Sequence, residues 1–352
     1  MSNSLLRYSC QMALPGFGEA AQLLLKQAKV LVVGIGGLGC PVAQYLTAAG
    51  VGVLGVADHD NVSVSNLHRQ ILFGPADVGQ NKAKVACMRL HQQNPGILLM
   101  PYEKITAGNM LDILEQYDLV VDCTDNFAAR YLLNDACVIS GKPLVYGAIY
   151  QFDGQVAVWN IPNKNGTYTP NYRDLYPEVN ASQIPNCTEG GVIPTLAGII
   201  GCLQANEVLK YITQTGEVLA GKVLLFDAQT MQSRIIKIGT STKTNITTLP
   251  QTADEPLITA KELKTALENG NIELIDVRTE QERNASNIGG KHIPLNELEN
   301  NLHQINKDAT TVFYCASGKR SGDAVSLLNR RMPDANVFSL AGGLKEWIDL
   351  NA

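Results

Sequence analysis

Lys29-Val30-Leu31-Val32-Val33-Gly34-Ile35-Gly36-Gly37-Leu38-Gly39 decides the fold of the longer part of this chain. The run Lys29–Val33 reads as a buried strand, and Gly34, Gly36 and Gly39 fit Gly-x-Gly-x-x-Gly. Such glycines let a backbone turn tightly and come close to phosphates. The apolar spacing of Leu38–Ala49 predicts a helix whose N-terminus faces the turn, a ready anion site. A second strand, Leu54–Ala57, ends at Asp58, an acid about 20 residues on that can accept from ribose hydroxyls. Strand, turn, helix and strand together predict a bound nucleotide; the turn by itself leaves NAD and ATP both open.

Further runs extend the pattern on either side. Leu119–Asp122 and Leu144–Tyr146 read as strands, with helical spacing in Lys82–Asn94 and Ala128–Ser140 between them. This alternation predicts βαβ units and a mainly parallel sheet. Gln155–Asn160 alternates polar and apolar and so predicts an antiparallel extension; Val223–Asp227 and Arg234–Ile238 read as late strands. Residues 161–186, rich in Pro, Asn and Tyr, show little periodicity and read as a structureless functional segment. Helical spacing resumes over Ile193–Tyr211. Residues 239–256 are polar and Thr-rich, which predicts an interdomain linker. Beyond them a second, smaller α/β pattern runs through helix Thr259–Asn269, strands Glu273–Asp276 and Thr311–Tyr314, helix Gly318–Arg331 and strand Val337–Leu340. The expected organisation is an α/β domain over 1–238, a linker over 239–256, and a small α/β domain over 257–352.

Composition narrows the class. With 352 residues, 45% hydrophobic and 17% charged, the chain is long enough for two cores and reads as an ordinary folded protein. A net charge of −5 argues against a nucleic-acid surface. No run approaches a bilayer span, and Met1-Ser2-Asn3-Ser4 lacks a basic n-region and apolar h-region, so a cytoplasmic protein is expected. Eight cysteines without one Cys-x-x-Cys suggest neither a disulfide framework nor a zinc knuckle.

The stretch Asp58-His59-Asp60-Asn61-Val62-Ser63-Val64-Ser65-Asn66-Leu67-His68-Arg69-Gln70, with Lys82 and Asp122-Cys123-Thr124-Asp125-Asn126, narrows the nucleotide. Arg69 and Lys82 are two cations for a triphosphate, and Asp125 is a hard oxygen ligand for Mg²⁺. A nicotinamide oxidoreductase needs no such set. Here the chain resembles the E1-like superfamily of MoeB and ThiF proteins, from Arg7-Tyr8 to about Ile238, in Gly-Ile-Gly-Gly-Leu-Gly, Ser-Asn-Leu-His-Arg-Gln and Asp-Cys-Thr-Asp-Asn. The resemblance implies a Rossmann-like adenylation domain in which Gly34, Gly36, Gly37, Gly39, Asp58, Ser65, Asn66, Leu67, His68, Arg69, Gln70, Lys82, Asp125 and Asn126 surround ATP. It further implies a homodimer, and a ubiquitin-like sulfur carrier protein whose terminal glycine carboxylate attacks the α-phosphate.

Cys187, in Asn186-Cys187-Thr188-Glu189-Gly190-Gly191, matches the family's cysteine that forms a thioester or acyl disulfide with the activated carrier. Cys10, Cys40, Cys87, Cys123, Cys137 and Cys202 read as core filler. The chain departs from the family twice. Many relatives carry two Cys-x-x-Cys pairs that bind zinc; here Asn171 and Asp174 hold the first pair's place, and Arg234–Thr248 has no cysteine. No structural zinc is expected. The family's Arg-Tyr-x-Arg-Gln is Arg7-Tyr8-Ser9-Cys10-Gln11 here, without the arginine expected to reach ATP across a dimer.

Near the end, Cys315-Ala316-Ser317-Gly318-Lys319-Arg320-Ser321 places a cysteine after a strand, in a loop that wraps into a helix. Inward-pointing amides, the helix N-terminus, Lys319 and Arg320 are expected to steady a thiolate and an anionic persulfide. A phosphatase Cys-x₅-Arg loop would need arginine where Ser321 stands. The segment resembles the rhodanese active-site loop, and Leu274-Ile275-Asp276-Val277-Arg278 with His292-Ile293-Pro294-Leu295 matches that family's earlier landmarks. The two resemblances imply adenylation of a carrier at one end and sulfur transfer through Cys315 at the other, with Arg69, Lys82, Asp125 and Cys187 taking part. The implied persulfide donor is an upstream protein such as a cysteine desulfurase, and the implied pathway is molybdopterin or thiamine synthesis. The alternative is a catalytically weakened scaffold that docks the carrier.

Overall fold

Val30, Leu31 and Val32 have no exposed surface, and neither have Leu119, Val120 and Val121 in the strand beside them. Strands apolar on both faces belong in the middle of a parallel sheet covered by helices. The computed structural model describes residues 5–177, 191–249, 256–270, 272–307, 309–332 and 334–351. The chain divides into two units, Met1–Pro250 and Gln251–Ala352.

In the first unit β1 (Lys29–Val33) pairs in parallel with β2 (Val53–Ala57) on one side and β4 (Leu119–Asp122) on the other. Strand β3 (Leu98–Tyr102) lies outside β2, and β5 (Leu144–Tyr150) outside β4. Then β6 (Asp153–Trp159), β7 (Lys222–Asp227) and β8 (Gln232–Lys237) add on antiparallel, giving the order β3-β2-β1-β4-β5-β6-β7-β8. The mainly parallel sheet and its antiparallel extension are those expected from the alternation of runs. The chain turns to opposite sides of β1, so a crevice opens at the carboxyl ends of β1 and β4, where such sheets bind ligands.

Side-chain alternation splits the core between the two faces. Val30 and Val32 pack with Leu46, Leu90 and Ile200, whereas Leu31 and Val120 pack with Met110, Leu133 and Trp159. The helices over these faces start and stop where their caps dictate. Asn81 accepts from Lys84 N–H at 3.1 Å to begin Lys82–Gln93, and Asn126 accepts from Ala129 N–H at 2.8 Å to begin Phe127–Ile139. Gly39–Ala49 ends at Gly50 in the left-handed region, φ 87°.

Two expectations fail here. Residues 161–177 are not structureless: Thr169 N–H donates to Ile161 O at 2.8 Å, and Tyr172–Leu175 is a short helix closed by Asn171 and Asp174 in a reciprocal capping box. Nor is the start of 239–256 a free linker. Thr242 Oγ1 donates to Asp174 Oδ2 at 2.7 Å, while the N–H groups of Lys243 and Thr244 donate to Oδ1 at 2.8 and 3.1 Å. Asn171 Nδ2 donates to both threonine hydroxyls, at 2.9 and 2.6 Å. Asn171 and Asp174 thus meet 242–244 through hydrogen bonds.

The second unit has a five-stranded sheet, ordered β11-β10-β12-β13-β9. Its strands are β9 (Leu257–Ile258), β10 (Ile272–Asp276), β11 (Lys291–His292), β12 (Thr310–Tyr314) and β13 (Val337–Leu340), and every pairing is parallel. Thr259 with Glu262 and Thr279 with Glu282 form capping boxes that start two of its helices. No helix among the described residues is long and apolar enough to cross a membrane.

Asp174 accepts four hydrogen bonds as a charged group, so Asp174→Ala is expected to cost about 2–3 kcal/mol. Urea unfolding of the full chain, followed by fluorescence, measures the loss.

Candidate active sites

At Gly34 and Gly39 the glycine turn is built by contacts that leave no room for a side chain. Gly34 has φ 89°, and a Cβ on it would sit 2.6 Å from Cys123 O; one on Gly39 would run into Gly34 O. A Cβ on Gly37 would come within 3.1 Å of Ala197 Cβ and 3.4 Å of Arg69 Cγ, so the arginine's stem crosses the turn there. Gly36 faces the Gln70 amide.

Asp58 ties the end of β2 into this turn. Its carboxylate accepts from Ile35 N–H at 2.8 Å and Asp60 N–H at 2.9 Å. Burial pushes its carboxyl above the usual carboxylate range, and Lys82 pulls the other way. Lys82 lies almost wholly buried at the start of its helix, its ammonium 2.8 Å from Asp60 Oδ2. Asn81 Nδ2 donates to Asp58 O at 3.2 Å and holds that helix to the end of β2.

Ser65, Asn66, Leu67, His68, Arg69 and Gln70 form a short 3₁₀ and turn segment around the same end of the sheet. Asn66 O accepts from the N–H groups of Arg69 and Gln70 at 3.1 and 3.0 Å. Ser65 Oγ lies 3.0 Å from Ser63 Oγ, Leu67 packs on the core, and His68 Nε2 is 2.8 Å from Arg69 Nη1. Gln70 is buried, and its Oε1 has no hydrogen-bond partner among the described residues. An orphaned acceptor beside a glycine turn suits a ligand that brings a donor, such as a nucleotide.

The loop after β4 completes the crevice. Asp122 Oδ1 accepts from Thr124 N–H at 2.9 Å and its hydroxyl at 2.6 Å, while Arg130 Nη2 donates to Thr124 O at 3.0 Å. These bonds fix the loop that carries Asp125, which is exposed, and Asn126, which caps the next helix. Arg130 and Asp60 escape a reading by motif, because each acts through partners that the fold, rather than a recognisable spacing, brings to it.

Cys315 follows β12 and is buried, with Sγ accepting Gly318 N–H at 3.2 Å and lying 3.6 Å from Ser321 Oγ. Ser339 Oγ donates to Ser321 Oγ at 2.8 Å, and Ser321 Oγ to Gly318 O at 2.9 Å. Gly318 sits at φ 94° just before Lys319, the first residue of the helix Lys319–Arg331. A Cβ on Gly343 would come within 2.5 Å of Cys315 O, and Leu344 N–H donates to that oxygen at 2.8 Å. The next helix therefore braces the loop from behind.

Arg320 corrects one expectation. Its two terminal nitrogens donate to Glu282 Oε2 and Oε1 at 2.7 and 2.6 Å. Its charge is answered by a carboxylate instead of standing open to the thiol. That fork, with the N–H and hydroxyl of Thr279, holds Glu282 down to about 2. Cys187 lies outside the described residues. Burial holds the thiols of Cys40 and Cys87 up to about 12 and raises Cys123 and Cys137 further, as inert core groups require. Cys202 is only partly buried, and Cys10 is exposed rather than core.

Fold and sites together define a nucleotide-binding α/β unit and a thiol-centred anion loop on one chain. Residues 8–248 match the ThiF family, and residues 259–350 match the rhodanese-like domain. The chain is 39% identical over 364 residues to the probable adenylyltransferase/sulfurtransferase MoeZ of Mycobacterium tuberculosis, covering 97% of this chain and 92% of that one. It is 38% identical over 384 residues to the adenylyltransferase and sulfurtransferase MOCS3 of Drosophila willistoni, covering 98% and 83%. Over 224 residues it is 53% identical to a sulfur carrier protein adenylyltransferase of Thermus thermophilus, covering 63% and 83%. Among solved structures, E. coli MccB shares the fold with a TM-score of 0.60 at 22% identity, covering 70% of this chain and 75% of that one. The chain belongs to the ThiF family and carries a C-terminal rhodanese-like domain. It is an adenylyltransferase and sulfurtransferase, the enzyme class of these relatives, and that class implies the use of ATP.

The Glu282 carboxyl is lowered from an ordinary 4.5 to about 2 in the folded protein. A lowered carboxyl stabilises the fold fully above its unfolded value and loses that contribution as pH falls through its folded one. In urea titrations the midpoint advantage of the protein over its Glu282→Gln variant should therefore hold above about pH 4.5 and close between there and about pH 2.

Proposed function

We propose that the first unit adenylates the C-terminal glycine of a ubiquitin-like sulfur carrier protein, and that Cys315 supplies the sulfur that turns the adenylate into a thiocarboxylate. The observation that carries this reading is the crevice at the ends of β1, β2 and β4. It gathers a side-chain-free turn, Asp58, Gln70 with its unpaired acceptor, and the cations Arg69 and Lys82. The carrier's carboxylate oxygen attacks the α-phosphorus of ATP, the bond to the β-phosphate breaks, and pyrophosphate leaves. Arg69 and Lys82 answer the charge that gathers on the leaving phosphates, and Asp125 is the ligand assigned to Mg²⁺. Asp58 receives the ribose hydroxyls, and Gly34, Gly36, Gly37 and Gly39 admit the phosphates to the backbone.

A carboxylate does not expel oxide, so activation as a mixed anhydride is what permits sulfur to attack. The Cys315 persulfide adds through its terminal sulfur to the carbonyl carbon and AMP leaves, giving an acyl disulfide on Cys315. A thiol then cleaves the S–S bond, releasing the thiocarboxylate and leaving a disulfide that a cellular dithiol reduces. Cys187 is assigned to this stage, as acyl acceptor or resolving thiol. The persulfide on Cys315 comes from an upstream protein such as a cysteine desulfurase. The enzyme is read as a cytoplasmic homodimer serving molybdopterin or thiamine synthesis.

Arg69→Ala and Lys82→Ala should each lower ATP–pyrophosphate exchange by about a hundredfold or more. Cys187→Ala and Cys315→Ser should leave exchange near the parent rate. With persulfide as the only sulfur source, carrier thiocarboxylate should vanish in Cys315→Ser, read by mass spectrometry as loss of the oxygen-to-sulfur shift. No exchange with any candidate carrier would instead mark a docking scaffold.

The hydrogen bonds among Asn171, Asp174, Thr242 and Thr244 support a junction that needs no structural zinc. Elemental analysis should find far less than one zinc per chain, and a chelator should leave the melting temperature in place.

A further inference from the structure

Glu282 stands outside the Cys315 loop, yet it holds that loop's arginine. The carboxylate is forked onto Arg320 at 2.7 and 2.6 Å. It is itself fixed at the start of the helix Glu280–Ala285, where Oε2 accepts the Thr279 N–H at 3.0 Å and hydroxyl at 2.9 Å. Arg320 is largely withdrawn from water and Glu282 only partly, with side-chain exposures of 18% and 36%. A guanidinium forked onto one carboxylate through its two terminal nitrogens has that pair of donors committed and its charge answered, so it holds a second oxyanion less strongly.

The neighbouring cation is committed in the same way. Arg278 lies 5.5 Å over the ring of Tyr314, the residue before Cys315. Its guanidinium is forked onto buried Asp276 at 2.9 and 2.7 Å. At the sulfur itself Gly318 N–H donates at 3.2 Å, and the Ser321 hydroxyl, which donates to Gly318 O, lies 3.6 Å away. These groups are one backbone N–H and one hydroxyl oxygen. They do not include a free fork for the three oxygens of a sulfonate.

We infer that Glu282 is a specificity-determining residue for sulfur loading: by engaging Arg320 it turns the Cys315 loop away from free inorganic thiosulfate and toward a persulfide carried on a larger molecule. This deepens the sulfur-transfer reading above and rests on it. The two loading steps make plain what is being selected. From a persulfide donor R–S–SH, the Cys315 thiolate attacks the outer sulfur, the S–S bond breaks, R–S⁻ leaves, and Cys315–S–SH forms. From thiosulfate the same thiolate takes the sulfane sulfur and sulfite leaves with two negative charges. Only the second step needs donors for oxygen in both its ground and transition states, so only it gains when Arg320 is released.

The test compares thiosulfate with a short peptide persulfide of zero net charge. It uses the full chain, with loading at Cys315 read by mass spectrometry and steady-state rates read with cyanide as acceptor. In Glu282→Gln the ratio of kcat/KM for thiosulfate to that for the peptide persulfide should rise about tenfold, chiefly through a lower thiosulfate KM, as removal of one nearby charge allows. Glutamine fits the same capping box with Thr279, which keeps the helix start intact, and a thermal melt checks it. Adding Arg320→Gln to Glu282→Gln should abolish the gain, since the effect runs through that guanidinium. An unchanged ratio in a folded Glu282→Gln, or a gain that survives Arg320→Gln, overturns the inference. Failure of Cys315 to load from either donor, in the parent chain and all variants, would overturn the sulfur-transfer reading instead.

Discussion

No side chain can stand at Gly34 or Gly39, and much of the larger unit depends on that exclusion. Where Gly34 turns with φ 89°, the backbone of Cys123 closes against it, and Gly39 closes against Gly34 from the other side. The ends of β1 and β4 and the helix Gly39–Ala49 thus come together at backbone distance. Ile35 N–H then reaches Asp58, which brings in the end of β2. Three strands from distant parts of the chain converge because one short turn carries no Cβ to hold them apart. The smaller unit uses the same device at Gly343, whose missing side chain lets the last helix press on the Cys315 loop.

The central strands were legible because burial on both faces leaves a continuous apolar run. Strand β3, Leu98–Tyr102, was not: it lies at the sheet's edge with Leu98 and Met100 exposed, and it contains Pro101. Motif spacing brought out the glycine turn, Arg69, Lys82 and the Cys315 loop, since each is local in sequence. What spacing cannot carry is a partner far along the chain. Glu282 lies 38 residues from Arg320, and Asp174 lies 68 from Thr242. A polar, Thr-rich stretch therefore read as linker where the structure has a fastened segment. The carboxylate partner of Arg320 was not legible for the same reason.

Each site holds one of its cations in an ion pair. Lys82 rests on Asp60, and Arg320 on Glu282, with each cation the more buried partner. Leaving a buried ammonium or guanidinium unpaired would cost several kcal/mol, so the pairing keeps each site stable before any substrate arrives. The pairs differ in how firmly they are made. Lys82 makes a single contact with a carboxylate that is half exposed. Arg320 is held by two parallel bonds to a carboxylate that a helix start also grips. An incoming polyanion can compete for the first far more readily than for the second. The charge of Lys82 is thus kept on loan, while the Cys315 loop keeps the charge of Arg320 engaged.

The junction at Asn171, Asp174, Thr242 and Thr244 has a consequence for the chemistry around it. Thiolates exchange with sulfane sulfur, and a junction made of them would be open to attack by persulfides. Carboxylate, amide and hydroxyl groups are inert to such exchange. Their hydrogen bonds also do not respond to a change in cellular redox poise. An enzyme that handles reactive sulfur at one end is here fastened, at the end of its other unit, by groups to which sulfur is a stranger.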